Sequence, residues 1–203
     1  MYENIINQYI GNHPVFTVSE IRAENQIHIN KHAGFNTELA RMEKRGIIKR
    51  LSHGIYVVPQ ETSFGIVLPN EYVIAKHIYL ENGNGYISGP TFLNQIGVST
   101  WLPQKTYLKT NNAKKNIGLK NIVVKEPRIQ ITSQNAKYLQ LLDGLLDLSN
   151  YAVDNKEPYK CFYNFICAYN IDLPKLFLLC HKYYKNIVEN HLFKILEDYY
   201  DIT

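Results

Sequence analysis

Residues 35–59 read FNTELARMEKRGIIKRLSHGIYVVP. Phe35, Leu39 and Met42 recur at helical spacing and make one apolar stripe, while Thr37, Arg41 and Lys44 fall on the opposite face. Lys44 and Arg45 then precede Gly46. Cations in a last helical turn meet the negative end of the helix dipole, and a glycine just beyond can take up positive φ, so the helix is expected to stop there. Ile47 to Leu51 and Ile55 to Val58 are rich in β-branched and aromatic residues, and Ser52, His53 and Gly54 supply turn chemistry between them. The stretch is expected to be a basic amphipathic helix running into one β-hairpin.

Working outward, Ile5, Ile6, Tyr9 and Ile10 place a first helix over residues 2–10, closed near Gly11 and Pro14. Thr17 and Ser19 offer caps for a short second helix through Arg22, with Glu20 in its first turn, where a carboxylate suits the dipole. The order is helix, short helix, basic helix, hairpin. That is the order of a winged helix-turn-helix, in which the third helix enters the DNA major groove. We therefore expect an α+β protein, with a winged helix-turn-helix DNA-binding domain over residues 1–60 and a mixed α/β domain over 61–203 that ends in a helical bundle.

Charge is concentrated rather than general. Between residues 41 and 50, Arg41, Lys44, Arg45, Lys49 and Arg50 face Glu43 alone, a local net of +4 that equals the net charge of the whole 203-residue chain. Attraction to phosphate is screened over roughly 10 Å at 0.1 M salt, so a local cluster counts for more than the overall balance. A solvated helix face is the bland reading of such a run, and the helix-hairpin context favours DNA.

Composition bounds the rest. Hydrophobic residues make up 45% and charged residues 20%, as in an ordinary globular protein. No apolar run approaches the roughly 20 residues of a membrane span, and the N-terminus, with Glu3 and no basic stretch, does not read as a signal peptide. A cytoplasmic protein is expected. Cys161, Cys167 and Cys180 lack C-x-x-C spacing, and Cys161 and Cys167, among Phe162, Phe165 and Ile166, are expected to be packed, reduced thiols. His28 and His32 are four apart, as in the start of a metal site, but no third ligand is nearby and Asn30 and Gly34 disturb the helical register.

Beyond Pro59, Gln60 to Ser63 reads as a polar connector, and Phe64 to Pro69 leads into a helix over residues 70–80. Tyr86 to Pro90 suggests an extended piece entering a helix over 91–96, stopped by Gly97. Residues 106–109, 116–119 and 121–125 read as strands, with Asn111 and Asn112 as a turn. Lys105, Lys109, Lys114, Lys115, Lys120, Lys125 and Arg128 oppose only Glu126 between residues 105 and 128. They are either strand-edge guards or a second nucleic-acid surface. From Gln134 onward the pattern is helical: a leucine stripe over Ala136, Leu139, Leu142, Leu145 and Leu146, then helices at 158–169, from Pro174 and through 196–199. This end holds nine of the sixteen tyrosines, which suit either a partner interface or the rim of a small bundle.

Catalytic signatures are lacking. There is no G-x-x-x-x-G-K-[ST], H-E-x-x-H or G-x-S-x-G, and Gly83-Asn84-Gly85 lacks the further glycine of a dinucleotide site. Asp143 and Asp147 share a helical face beside leucines, without the clustered carboxylates of a metal-dependent nuclease. A non-enzymatic protein with no cofactor and no metal is expected.

The run Gly46-Ile47-Ile48-Lys49-Arg50-Leu51, then Gly54-Ile55-Tyr56-Val57-Val58-Pro59, Phe64-Gly65 and Leu68-Pro69, resembles the N-terminal half of bacterial AbiEi-type antitoxins and related transcriptional regulators. The segment from Tyr86-Ile87-Ser88-Gly89-Pro90 through Gly97-Val98-Ser99-Thr100, followed by Pro103, is similar to a helix of that family that ends in Gly-Leu-Ser/Thr ahead of a proline. Phe92 and Trp101 depart from it. The resemblance covers roughly residues 15 to 128. It implies an antitoxin that represses its own promoter repeats in a type IV toxin-antitoxin, phage-defence operon, with a nucleotidyltransferase-like toxin as the functional partner and direct contact left open.

On this reading Thr37, Arg41 and Lys44 lie towards the groove, flanked by Asn36 and Arg45. Arg41 is placed to read a guanine; Lys44, Lys49 and Arg50 hold phosphates, and His53 reaches the backbone from the wing tip. The expected partner is double-stranded DNA, with no membrane and with self-association left open. The competing reading is a protein-interaction module, with the winged helix as scaffold and the C-terminal helices as interface.

Overall fold

The structure, a computed structural model, describes residues 2–28, 31–115, 117–184 and 186–199. It is a mixed α+β protein whose contacts divide it into two compact units, Met1–Ile78 with Lys115–Lys120, and Tyr79–Lys114 with Asn121–Thr203.

The first unit begins with α1 (Tyr2–Ile10), β1 (Val15–Thr17), α2 (Val18–Glu24) and α3 (His32–Lys44), then β2 (Lys49–Ser52) and β3 (Ile55–Val57). The expected helices at 2–10 and 35–44 are present, and the interleaved β1 was not foreseen. Thr17 ends β1 and also caps α2: its hydroxyl accepts from Glu20 N at 3.2 Å while Glu20 Oε2 accepts from Thr17 N at 2.7 Å, a reciprocal capping box. The antiparallel sheet has the order β1-β3-β2. Ile6, Phe16, Ile21, Phe35, Leu39, Met42 and Ile48 form its core, so the stripe on α3 is the buried face. Gly46, at φ +76°, closes α3: its N–H donates to Glu43 O at 2.9 Å and that of Ile47 donates to Met42 O at 3.0 Å, which satisfies two helix-end carbonyls. At the tip of the β2–β3 hairpin, Gly54 (φ +71°) turns the chain, and its carbonyl accepts from Val18 N at 2.8 Å.

The structure departs from expectation after Pro59. The polar connector is a second hairpin, β4 (Gln60–Thr62) and β5 (Gly65–Val67), with Phe64 at its tip. Thr62 Oγ1 ties that turn, donating to Gly65 O and accepting from Phe64 N. Both strands are exposed, so no buried face imposed the alternation by which a strand is recognised. The hairpin and α4 (Glu71–Ala75) belong to the first unit, which therefore extends past residue 60. Asn70 caps α4 through Tyr72 N, and the helix expected to run to Leu80 widens into a π-helical turn over Lys76–Leu80.

In the second unit, β6 (Gly85–Ile87) leads into α5 (Gly89–Gln95), and β7 (Thr106–Thr110) and β8 (Ile122–Lys125) complete a sheet of order β6-β7-β8. β6 and β7 are antiparallel but β7 and β8 are parallel, and Asn111 and Asn112, in a turn as expected, start the crossover between them. Ile117 to Leu119 form no strand, and Asn116 lies outside the described residues. Helices α6 (Ala136–Asp147), α7 (Pro158–Ala168), α8 (Leu173–Tyr183) and α9 (Asn186–Tyr199) follow, their core built from residues such as Phe92, Leu142, Phe162, Leu176 and Leu192. Among the described residues no helix is long and apolar enough to cross a membrane.

Candidate nucleic-acid interface

Burial of Phe35, Leu39 and Met42 fixes the rotation of α3 and leaves Asn36, Thr37, Arg41 and Lys44 exposed, with Arg45 just beyond. Lys49, Arg50 and His53 are exposed on the β2–β3 hairpin. All eight expected residues are therefore at the surface of one unit, and their internal contacts set what each has left to offer. Arg41 Nη1 lies 3.3 Å from Glu38 Oε2, and Arg45 reaches both Glu3 (2.8 Å) and Glu38 (3.5 Å). Arg45 is thus largely committed to two carboxylates. Arg41 is 68% exposed and in an i,i+3 pair of the kind worth a few tenths of a kcal/mol, which a stronger anion can displace. Lys44 and Lys49 make no ion pair among the described residues. Thr37 Oγ1 donates back to Ala33 O at 2.9 Å.

Two contacts order this surface. Arg22, at the end of α2, lies over the Phe35 ring at 5.7 Å and donates from Nη2 to Asn36 Oδ1 at 2.5 Å, so α2 holds one outward side chain of α3. Arg50 Nη2 lies 3.1 Å from His53 Nδ1. Behind the capping box, His77 Nε2 sits 3.0 Å from Glu20 Oε2. Burial alone would raise the Glu20 pKa, but the hydrogen bonds from His77 and from the Thr17 backbone together hold it below the usual carboxylate value.

Within the basic segment at 105–128, two of the seven cations turn to a buried carboxylate. Lys109 Nζ lies 2.7 Å from Asp143 Oδ2, and Asp143 is 1% exposed. Tyr86 donates to the same oxygen at 2.6 Å and Tyr184 to Oδ1 at 3.1 Å, with Arg128 Nε at 4.0 Å and its guanidinium over the Tyr184 ring. One buried carboxylate therefore ties β6, β7, α6 and the residue after α8, and it pairs closely with Lys109, with Arg128 at the edge of ion-pair distance. Burial and the Asp143 charge push the hydroxyls of Tyr86 and Tyr184 far above the ordinary tyrosine range, so both remain donors. Sequence reading set Asp143 aside as a carboxylate beside leucines, because its tyrosine donors lie 57 and 41 residues away and no local spacing reports them.

Among the described residues no three His, Cys, Asp or Glu side chains could hold a metal. His32 Nε2 instead meets Ile27 O at 3.2 Å, and Asn30 lies outside the described residues. The cysteines are free; Cys180 is buried and Cys161 half-buried, but Cys167 is exposed and not the packed thiol expected, because it falls on the outer side of α7 from Phe162, Phe165 and Ile166.

A family described as one of unknown function, DUF6088, matches residues 15–161. The chain belongs to that family. The region shared with the family runs from β1 into the first turn of α7, and so takes in α3, both hairpins and Asp143. No curated protein matches the chain.

Proposed function

We propose that the first unit is a winged helix-turn-helix that binds double-stranded DNA, with α3 in the major groove and the β2–β3 hairpin as the wing. The observation that carries this reading is the rotation of α3. Its apolar stripe is wholly buried in an α1-β1-α2-α3-β2-β3 order with sheet order β1-β3-β2, which turns Thr37, Arg41 and Lys44 outward together. Arg41 reads a base through its fork, Asn36 is steadied by Arg22, and Lys44, Lys49 and Arg50 hold phosphates. Together with the sequence resemblance to AbiEi-type antitoxins, this supports reading the protein as a non-enzymatic repressor of its own promoter, in the cytoplasm, within a toxin-antitoxin operon.

The test compares two variants on DNA from just upstream of the gene. Arg41→Ala is expected to cost about 1–3 kcal/mol and to relax specificity at one base. Lys49→Ala is expected to weaken all sequences alike and to flatten the salt dependence by about one unit of slope. Wild-type binding by both variants would refute the assignment.

A protein-interaction module is supported by a separate observation: α8 and α9 expose Leu178 (72%) and Phe193 (49%), with Phe193 against Phe177 at a ring separation of 5.4 Å. Co-purification of an operon neighbour without any DNA binding would favour that reading.

A further inference from the structure

In the second unit a cavity of about 490 Å³ opens between α5, β7 and the loops at residues 97–105 and 148–157. Its size lies within the range of small-molecule sites, roughly 300–1,000 Å³. Three aromatic side chains surround it: Trp101, Tyr107 and Tyr151, over an apolar floor that includes Leu93 and Val123. Gln104 and Lys105 are its exposed polar members.

Two features distinguish this cavity from an incidental gap between loops. The aromatic walls are held in place. Tyr107 N donates to Thr91 Oγ1 at 3.0 Å, and its ring stands edge-on to Tyr151 at 6.3 Å. Gly89, at φ +58°, is packed so closely that a Cβ there would meet the Tyr107 side chain at 3.3 Å. The second feature is the loop that carries Trp101. Asn155 Nδ2 donates to Gly97 O at 2.7 Å, Asn94 Nδ2 to Ser99 O at 3.0 Å and Thr100 N to Asp154 Oδ1 at 2.9 Å. This anchored loop nevertheless keeps Trp101 70% exposed. A large indole at the mouth of a cavity, carried on a backbone already ordered, offers a stacking face at a reduced entropic cost.

We infer that this cavity binds a nucleoside monophosphate. A base has a π-face for Trp101, Tyr107 and Tyr151. The Gln104 amide, donor and acceptor at once, can pair with the edge of that base. Lys105 supplies the point charge for a phosphate. The inference does not depend on DNA binding by the first unit.

Trp101 is the only tryptophan in the chain, so its emission reports on this cavity directly. The four common nucleoside monophosphates are titrated separately into the full-length protein, with excitation at the red edge of indole absorption. Adenosine, inorganic phosphate, benzoate and a short single-stranded oligonucleotide are titrated in parallel. At least one monophosphate is expected to change the emission saturably, with half-saturation between roughly 10 μM and 1 mM. Lys105→Ala, an exposed change, is expected to raise that value about tenfold and to leave the nucleoside unaffected, while Tyr151→Leu weakens both. Circular dichroism of each variant separates loss of binding from loss of fold, and Lys105→Ala alone decides the matter if Tyr151→Leu unfolds. The proposal is overturned if no monophosphate gives a saturable change up to about 5 mM, or if Lys105→Ala binds as the wild type does. Benzoate as tight as the nucleotide, or an oligonucleotide more than about tenfold tighter than its monomer, would likewise overturn it.

Discussion

Replacing Asp143 by asparagine keeps the shape of the side chain and removes its charge. In the native protein Oδ2 receives Tyr86 at 2.6 Å and Lys109 at 2.7 Å, while Oδ1 receives Tyr184 at 3.1 Å. An asparagine has one acceptor oxygen, and its NH₂ would face donors on the other side. At least one buried donor then loses its partner, at about 1–3 kcal/mol, and the Lys109 ammonium, only 16% exposed, loses its counter-charge. Arg128 adds little, being 4.0 Å away and 38% exposed. We expect a total near 3 kcal/mol, within the 3–5 kcal/mol typical of breaking one side of a buried pair. Urea unfolding followed by Trp101 emission reports on the second unit, and with a slope of about 2 kcal/mol/M the midpoint falls by about 1.5 M. Tyr86→Phe should be costly alone, and its cost should not simply add to that of Asp143→Asn, because the two residues share one hydrogen-bonded cluster. A midpoint shift below about 0.3 M for Asp143→Asn would refute the reasoning.

Gly144→Ala should destabilise the same unit by about 1–3 kcal/mol, since its Cβ would meet the Phe92 ring at 2.5 Å and Phe162 at 3.0 Å; a thermal scan measures it, and an unchanged midpoint would contradict the packing. Glu20 has a depressed folded pKa, so its stabilisation is complete above its unfolded value near 4.5 and is lost as the pH falls through the lower folded value. Glu20→Gln should therefore lower stability at pH 7 and flatten its acid dependence, as followed by circular dichroism from pH 7 to 3. Spectrophotometric titration of the tyrosines should leave Tyr86 and Tyr184 un-ionised in the folded protein at pH 11, whereas a full complement of phenolates there would contradict their burial beside Asp143.

The elements legible in the sequence are those with a buried face. The stripe Phe35, Leu39, Met42 located α3, and the Thr17 and Glu20 pair located the start of α2. Strand β1 escaped because its three residues, Val15–Thr17, are too few to show a period. The β4–β5 hairpin escaped because every residue of both strands is exposed, so polar and apolar positions follow no face. The turn at Asn111-Asn112 was legible, but the parallel pairing of β7 with β8 across the segment that follows is non-local, and no local spacing reports it. The candidate interface was legible to the extent that its exposed residues share a helix or hairpin. Arg22 beneath Asn36, and the commitment of Arg45 to Glu3 across 42 residues, arise only from packing. Burial of Asp143 was hidden for the same reason, and with it the fate of Lys109 and Arg128.

The measurement that bears most directly on DNA binding is the affinity of the native protein for the duplex just upstream of its gene, against a scrambled duplex of equal length, from about 50 to 200 mM salt. Lys44, Lys49 and Arg50 together should give a slope of log K against log salt of about −3, at roughly −0.9 per phosphate, with Arg41 preserving a preference of at least about tenfold for the upstream sequence. No binding at the lowest salt, or equal affinity for the two duplexes throughout, would contradict it.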